Sequence, residues 1–178
     1  MQLQGERCRV RPWRESDIDS LAEHANNISV AKNLRDRFPH PYSRDNARDF
    51  LKYAVSLQDH SNLAIEVGGS AVGAIGYVPG HDVERFSAEI GYWLGEAFWG
   101  RGIVTEALGL TTEHAFRKLN MLRLFALPFA ENRASVRVLE KAGYVYEGRL
   151  HASSVKYGAS RDQLLYARIN PDWKLPSL

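Results

Sequence analysis

A glycine-rich turn that leads directly into a long helical pattern constrains the fold of this chain most strongly. The turn, residues 99–102, separates a strand pattern over 86–94 from an amphipathic helix pattern that begins at Ile103. Glycine lets the backbone approach a ligand closely, and a helix N-terminus offers unpaired N–H groups that suit a phosphate or pyrophosphate. The spacing matches neither a nucleoside-triphosphate P-loop nor a Gly-x-Gly-x-x-Gly dinucleotide motif. Taken alone, it indicates either an ordinary turn or an anion site of another class.

The pattern on both sides of this turn predicts a single α+β domain over residues 1–178. A strand over 6–12 is followed by a short helix begun by Ser16 or Asp17 and by a second helix capped by Ser43. Gly68–Gly69 then predicts a hairpin, and 86–94 a third strand of the same meander. The long helix is expected to bury Val104, Leu108, Ala115 and Leu119. The elements predicted after it are a strand at 121–129, a helix ending near Gly143, and strands at 144–155 and 162–169.

Composition excludes several classes of protein. The 23 Lys and Arg residues nearly balance 21 Asp and Glu residues, and this net charge of +2 argues against a nucleic-acid partner. No apolar run approaches the ~20 residues that a membrane helix requires. The first ten residues lack the apolar core of a secretory signal, and the single cysteine, Cys8, excludes an internal disulfide. We therefore expect a cytoplasmic protein, and we leave open whether it is a monomer or a homodimer.

The N-terminal strand carries two further expectations. Arg7, Arg9 and Arg11 share one strand face by their period of two, which predicts a solvated face, with an acidic partner as the alternative. Cys8 shares the other face with Val10, so we expect a small core residue and not a nucleophile. The six histidines show no metal-ligand spacing, and no metal site is predicted.

Two longer stretches give the turn a context. The run AEIGYWLGEAFWGRGIVTEAL, followed about thirty residues later by NRASVRVLEKAGYVYEGRL, resembles the GCN5-related N-acetyltransferase (GNAT) superfamily. Its ribosomal-protein N-terminal acetyltransferase branch is the most similar, and the resemblance covers roughly residues 7–170. It implies a mixed, mostly antiparallel sheet of about seven strands with helices on its faces. It also implies a splayed central pair formed by the strands AEIGYWL and MLRLFAL.

The resemblance implies acetyl-CoA as the cosubstrate, bound in that splayed gap. Backbone groups around Trp93 and Leu94 would pair with its pantetheine arm, and Asn132 would contact the same arm. The superfamily pattern Gln/Arg-x-x-Gly-x-Gly/Ala aligns with residues 99–104, where the first and last positions depart. The turn and first helical residues would bind the pyrophosphate through backbone N–H groups: Trp99, Gly100, Arg101, Gly102, Ile103, Val104 and Thr105.

Catalytic candidates follow from the same resemblance and from amine chemistry. Many superfamily members carry a tyrosine general acid at the position of Leu139, so Ser135, or a water that it holds, becomes the candidate proton donor to the thiolate. An amine attacks only when neutral, and Glu89 is the candidate base. From the residues alone, Glu89 could equally be a solvent-facing strand residue, since Ala88, Ile90 and Tyr92 mark the opposite face of its strand. Asn132 could be an ordinary helix cap. Glu106 is expected to be structural.

The resemblance, together with these residues, implies an acetyl-CoA-dependent N-acetyltransferase that acts by direct attack of a primary amine. The amine could be a protein N-terminus. Two alternatives stay open: a small-molecule acceptor, such as a polyamine, amino sugar or amino-acid derivative, and a non-catalytic CoA-binding sensor of the same fold.

Overall fold

The computed structural model describes residues 2–57 and 61–175, which form one sheet of eight strands. The strands span Leu3–Gln4 (β1), Arg9–Pro12 (β2), Asn62–Val67 (β3), Ser70–Pro79 (β4), Ser87–Leu94 (β5), Arg123–Ala126 (β6), Val145–Lys156 (β7) and Ala159–Ile169 (β8). Their order in the sheet is β1-β2-β3-β4-β5-β6-β8-β7, and all neighbouring strands are antiparallel except β5 and β6, which are parallel.

The described residues form five α-helices, which span Ile18–Ala25 (α1), Ile28–Ala31 (α2), Arg44–Ser56 (α3), Ile103–Lys118 (α4) and Arg133–Lys141 (α5). Four of them, α1, α3, α4 and α5, cover the two faces of this sheet. Alternation along β3 separates the two faces, since Leu63 and Ile65 join one apolar cluster and Ala64 joins the other. The first cluster holds the buried side chains of α4 and α5, and the second holds those of α1 and α3. The sheet is therefore enclosed between two layers of helices.

The predicted α+β architecture is confirmed, with corrections at particular residues. The sheet has eight strands where about seven were expected, because the two-residue strand β1 was not recognised. The hairpin at Gly68–Gly69 and the Ser43 cap of α3 are both present. The expected burial of Leu119 is wrong, since this residue lies beyond the end of α4 and is exposed.

The expectation of a solvated arginine face is wrong for Arg11. Its side chain is only 2% exposed, and its guanidinium donates to Asp17 Oδ2 and Oδ1 at 2.8 Å each and also to Glu66. These acids come from the turn before α1 and from β3, elements that the period of β2 could not place beside it. A buried charge is tolerated when it is paired in this way. Cys8, in contrast, is buried in the core as expected.

The parallel pairing of β5 with β6 is short and positions the functional site. Only three residue pairs connect the two strands, and the last joins Glu89 to Phe125. Strand β5 continues to Leu94 beside β4, while β6 remains paired with β8. Among the described residues, no strand pairs with this edge of β5 beyond Glu89. The two central strands thus diverge as the splayed pair predicted from the sequence.

Candidate active site

The alternation of hydrogen bonds along β5 determines which backbone groups face the gap. At one end of the β4–β5 ladder Gly95 N–H donates to Val72 C=O, and at the other Gly80 N–H donates to Ser87 C=O, both at 2.8 Å. Directly opposed residues of an antiparallel pair are hydrogen-bonded at every second position. The odd-numbered residues of β5 therefore point their N–H and C=O groups to β4, and the even-numbered residues point them into the gap.

This parity separates the two residues expected to offer backbone groups to the cofactor. The backbone of Trp93 faces β4, whereas the backbone of Leu94 and of Tyr92 faces the gap. The C=O of Leu94 already accepts a hydrogen bond from the indole Nε1 of Trp99 at 2.7 Å. A ligand that lies along this edge as an added strand could therefore use three backbone groups of Tyr92 and Leu94: the N–H and C=O of Tyr92 and the N–H of Leu94.

The glycine-rich turn presents a free helix N-terminus next to the gap. Gly100 and Gly102 have φ values of 74° and 75°, a left-handed conformation that favours glycine. Gly102 is the N-cap of α4, and no side chain of the described residues caps this end. The first N–H groups of an α-helix have no partner within the helix, so those of Ile103, Val104 and Thr105 are available to an anion.

The side chain of Glu106 ties the N-terminal segment to this turn. It accepts hydrogen bonds from the backbone N–H groups of Glu6, Arg7 and Cys8 at 2.8 to 3.0 Å. Burial opposes ionisation, but these N–H groups outweigh it and hold the pKa of Glu106 below its usual range. The structural role expected of Glu106 is therefore confirmed.

Two side chains of the turn lie at the protein surface. The indole of Trp99 is 44% exposed although its N–H is bound to Leu94, so Trp99 forms the rim of the gap and not part of the core. Arg101 is exposed as well, with its guanidinium carbon 5.4 Å from the ring centre of Phe98. An exposed cation beside free N–H groups increases the attraction of this turn for an anion.

At the start of α5 the hydroxyl of Ser135 meets the hydroxyl of Tyr92 from β5. The side chain of Asn132 accepts from Ser135 N–H at 3.2 Å, which confirms its capping role. The hydroxyls of Ser135 and Tyr92 lie 2.8 Å apart and the Tyr92 hydroxyl lies 3.3 Å from Ser135 C=O, so its single proton can be donated to either oxygen of Ser135. Burial raises the pKa of Tyr92 well above its usual range, so the phenol is protonated at neutral pH. Leu139 is fully buried, in agreement with the absence of an acid at that position.

Glu89 lies where β5 and β6 diverge, with its side chain on the face opposite to Tyr92. It is 29% exposed and forms an ion pair with Arg35, which belongs to the loop between α2 and α3. Both side chains line a cavity of about 820 Å³ between this loop, α3 and strands β4 and β5. Tyr92 lines the same cavity and contacts Ser135 on its other side. The cavity therefore extends from α3 to the point where the strands diverge.

Residues 2–57 and 61–175 contain no group of three or more His, Cys, Asp or Glu side chains arranged to hold a metal ion. One of the six histidines considered in the sequence, His60, lies outside these ranges. Within the same ranges, none of the helices has the length and apolarity needed to cross a membrane.

Comparison with known families identifies the family to which the chain belongs. The family profile described as acetyltransferase (GNAT) domain matches residues 7–145. The chain belongs to the GNAT family. GNAT acetyltransferases use acetyl-CoA, and the gap, the glycines and the free N–H groups of α4 fit that cosubstrate. The chain is accordingly an N-acetyltransferase.

Individual relatives agree with this assignment. "Probable N-acetyltransferase YjcK" of Bacillus subtilis (strain 168) is 41% identical over 86 residues, 48% of each chain, so the chain spans about half the length of this curated relative. Spermidine N(1)-acetyltransferase of Escherichia coli (strain K12) is 26% identical over 143 residues, which are 80% of this chain and 75% of the relative.

Solved structures share the fold of this GNAT protein. A GNAT-family acetyltransferase from Bacillus anthracis superposes with a TM-score of 0.85 at 21% identity, covering 97% of this chain and all of that one. A ribosomal L7/L12 alpha-N-protein acetyltransferase in complex with coenzyme A gives 0.84 at 22% identity, covering 95% of this chain and 98% of that one.

Sequence reasoning missed two residues of this site, Tyr92 and Arg35. The period of β5 correctly placed Tyr92 opposite Glu89, but nothing in the pattern of a strand indicates that its hydroxyl meets Ser135. The available signal was Tyr92 itself, because its polar hydroxyl stands among apolar strand residues and needs a partner, and the facing helix carries Ser135. Arg35 lies in a loop without periodicity, and no sequence signal connects it to Glu89.

Proposed function

We propose that this GNAT protein transfers the acetyl group of acetyl-CoA to a primary amine that enters the cavity beside Glu89. The observation that carries this proposal is the position of Glu89 at the divergence of β5 and β6, inside a cavity that also contains Tyr92. A carboxylate on one side of the gap and a protonated hydroxyl pair on the other can serve as the base and the acid of acetyl transfer to nitrogen.

The cosubstrate would be held mainly by backbone groups. Acetyl-CoA supplies the acetyl group as a thioester. Tyr92 and Leu94 would offer their gap-facing N–H and C=O groups to the pantetheine arm, with Trp93 supporting them from the cavity side. The N–H groups at the start of α4, from Ile103 to Thr105, would bind the pyrophosphate, and Gly100 and Gly102 would allow its close approach. Trp99 and Arg101 would border it, and Asn132 would face the arm while it caps α5.

Glu89 would accept the proton of the acceptor amine. An ammonium group has no lone pair for attack, so a carboxylate within reach can serve as the base that takes its proton. The ion pair with Arg35 orients Glu89 before the amine arrives. The direct attack proposed here leaves no covalent enzyme intermediate, since the one cysteine is buried and hydrogen-bonded toward Glu106.

Ser135 would donate a proton to the departing thiolate, with Tyr92 behind it. Tyr92 can donate its proton to the hydroxyl oxygen Oγ of Ser135 at 2.8 Å, which leaves the hydroxyl proton of Ser135 free to point into the gap. The pair would thus replace the tyrosine that this helix lacks at Leu139. Proton donation matters only as the thioester bond breaks, so it would raise kcat without tightening the binding of acetyl-CoA.

A turnover screen tests the proposal. Release of CoA thiol is followed with acetyl-CoA and, in turn, amino acids, amino sugars, polyamines and short peptides, and Glu89→Gln serves as the matched variant. The proposal predicts turnover with one acceptor class that falls sharply in Glu89→Gln. CoA binding without turnover of any acceptor would favour the sensor.

A protein N-terminal amine is the second candidate acceptor. The structural similarity to the ribosomal L7/L12 alpha-N-protein acetyltransferase supports it. The screen includes peptides for this reason.

A further inference from the structure

The wall of the cavity carries two opposite charges side by side, and they point to the acceptor. We propose that the acceptor is a free α-amino acid with an aromatic or bulky apolar side chain. Glu89 binds its ammonium group and Arg35 binds its carboxylate. This inference rests on the proposed function, whose acceptor it specifies.

The Glu89–Arg35 ion pair is complementary to the charges of an α-amino acid. Arg35 donates to Glu89 Oε1, and the two side chains are 59% and 29% exposed, so both can contact a ligand. In a free α-amino acid the ammonium and carboxylate groups are separated by a single carbon. A neighbouring carboxylate and guanidinium match this arrangement. The guanidinium has five N–H donors in a planar fork, so Arg35 can bind Glu89 and a ligand carboxylate together.

Contacts made by the residues that follow Arg35 hold its loop against the cavity. Next to it, Asp36 accepts from Lys156 Nζ at 2.8 Å, and this lysine at the end of β7 is only 3% exposed. Two residues further on, the ring of Phe38 packs edge-on against Trp93 at 5.5 Å. Arg35 is therefore presented to the cavity by a fixed loop, which lowers the entropic cost of recognising an anion.

The remaining walls fit a large apolar side chain. They include a set of aromatic rings: Phe38, Tyr42, Phe50, Tyr53 and Trp93. Cavities lined by aromatic rings with few polar groups bind apolar bodies and orient them through those few groups. The side chain of the acceptor would lie among these rings, with its α-carbon beside Glu89.

The charges of the lining argue against a polyamine. Two acids, Glu89 and Asp49, and two bases, Arg35 and Arg37, line the cavity. A polyamine carries several ammonium groups along its length and requires several unpaired carboxylates. A lining without net charge instead suits a ligand that carries one group of each sign.

A matched pair of acceptors tests the inference. L-Phenylalanine and L-phenylalaninamide share the amine and the ring, but the amide lacks the negative charge. We expect kcat/KM to be at least about tenfold higher for the amino acid, which corresponds to about 1.4 kcal/mol. The two amines differ in pKa, so both constants are taken from the plateau at high pH, where each amine is neutral. Spermidine is measured alongside and is expected to be the poorest acceptor.

Two variants determine whether Arg35 is responsible. Arg35→Gln removes the cation from an exposed position and should bring the ratio of the two kcat/KM values to within about threefold of one. Arg117→Gln, which removes another exposed arginine at the far end of α4, should keep the wild-type ratio.

The outcomes separate this inference from the proposed function. Equal or better turnover of the amide in the wild type would overturn it and favour a protein N-terminus, whose α-amine precedes an amide. Retention of the ratio in Arg35→Gln, or a preference for spermidine, would also overturn it. In all three cases acetyl transfer itself would stand. Only the absence of turnover with every amine would contradict the proposed function.

Discussion

Removing the Ser135 hydroxyl should slow the chemical step while leaving the helix intact. The cap of α5 is made by the Asn132 side chain and the backbone N–H of Ser135, and Ser135→Ala preserves that N–H. What the variant removes is the hydroxyl that lies 2.8 Å from Tyr92. A loss of turnover in Ser135→Ala therefore cannot be attributed to loss of the cap.

The expected magnitudes follow from the role of each hydroxyl. General-acid assistance contributes about 10²–10⁴-fold, and a thiolate leaves readily, so we expect Ser135→Ala to lower kcat by about 10²-fold or less. Tyr92→Phe removes a donor behind Ser135 and should lower kcat by about tenfold. Because both act on one proton, the double variant should be no slower than Ser135→Ala. The coupling in this double-mutant cycle should then equal the effect of Tyr92→Phe alone, about 1.4 kcal/mol.

The assay separates turnover from binding and from stability. CoA release gives kcat, calorimetry gives the Kd of acetyl-CoA, and urea unfolding gives the free energy of unfolding. The chain offers a matched control in Tyr144, whose buried hydroxyl lies 2.8 Å from that of Thr112. Tyr144→Phe should lower the free energy of unfolding by about 0.5–1.5 kcal/mol, as expected for one lost hydrogen bond, and leave kcat unchanged.

Three results would refute this reasoning. Normal turnover per folded molecule in Ser135→Ala would exclude the serine as the proton donor. Effects of Ser135→Ala and Tyr92→Phe that multiply in the double variant would show that the two hydroxyls act independently. A raised Kd for acetyl-CoA with unchanged kcat would assign Ser135 to cosubstrate binding instead.

Three further variants test other parts of the site. Gly102→Asp places bulk and negative charge at a left-handed position beside the free N–H groups, and should weaken CoA binding by at least about tenfold; calorimetry showing unchanged affinity in a folded variant would contradict the pyrophosphate site. Glu89→Gln should lower turnover and shift the rate profile to higher pH, where more amine is neutral; wild-type rates across about pH 6 to 9 would return Glu89 to a structural role. Because the pKa of Glu106 is lower in the folded than in the unfolded state, Glu106 stabilises the fold at pH values above its unfolded pKa of about 4.3. This stabilisation is lost as the pH falls through the pKa of the folded state. The free energy of unfolding should therefore depend less on pH below about 4 in Glu106→Gln than in the wild type, and identical pH dependence would refute the role of its N–H contacts.

The sequence predicts well those features that depend on local pattern. The hairpin at Gly68–Gly69 and the cap at Ser43 follow from turn and capping chemistry, and both are present. The alternation of β5 correctly assigned Glu89 and Tyr92 to opposite faces. Motif spacing combined with family resemblance placed the glycine-rich turn at the N-terminus of α4.

The sequence fails where a side chain meets a partner from a distant element. Arg11 was expected in solvent because a strand period reports only which residues share a face, and its acids lie on β3 and before α1. The Arg35–Glu89 pair joins a loop to a strand 54 positions away, and no periodicity encodes such a contact. Which residues of β5 point their backbone N–H and C=O groups into the gap also depends on the register with β4. That register directs the backbone groups of Tyr92 and Leu94 into the gap and those of Trp93 toward β4.

Following the acetyl group by mass spectrometry tests direct transfer to an amine most directly. The protein is first incubated with isotopically labelled acetyl-CoA alone, and an amine acceptor identified by the screen is then added. The account predicts that the mass of the intact protein stays unchanged in the first step. It also predicts that each CoA released in the second step is matched by one acceptor molecule carrying the label on nitrogen. Label on the protein before the acceptor is added, lost again as product forms, would contradict direct attack.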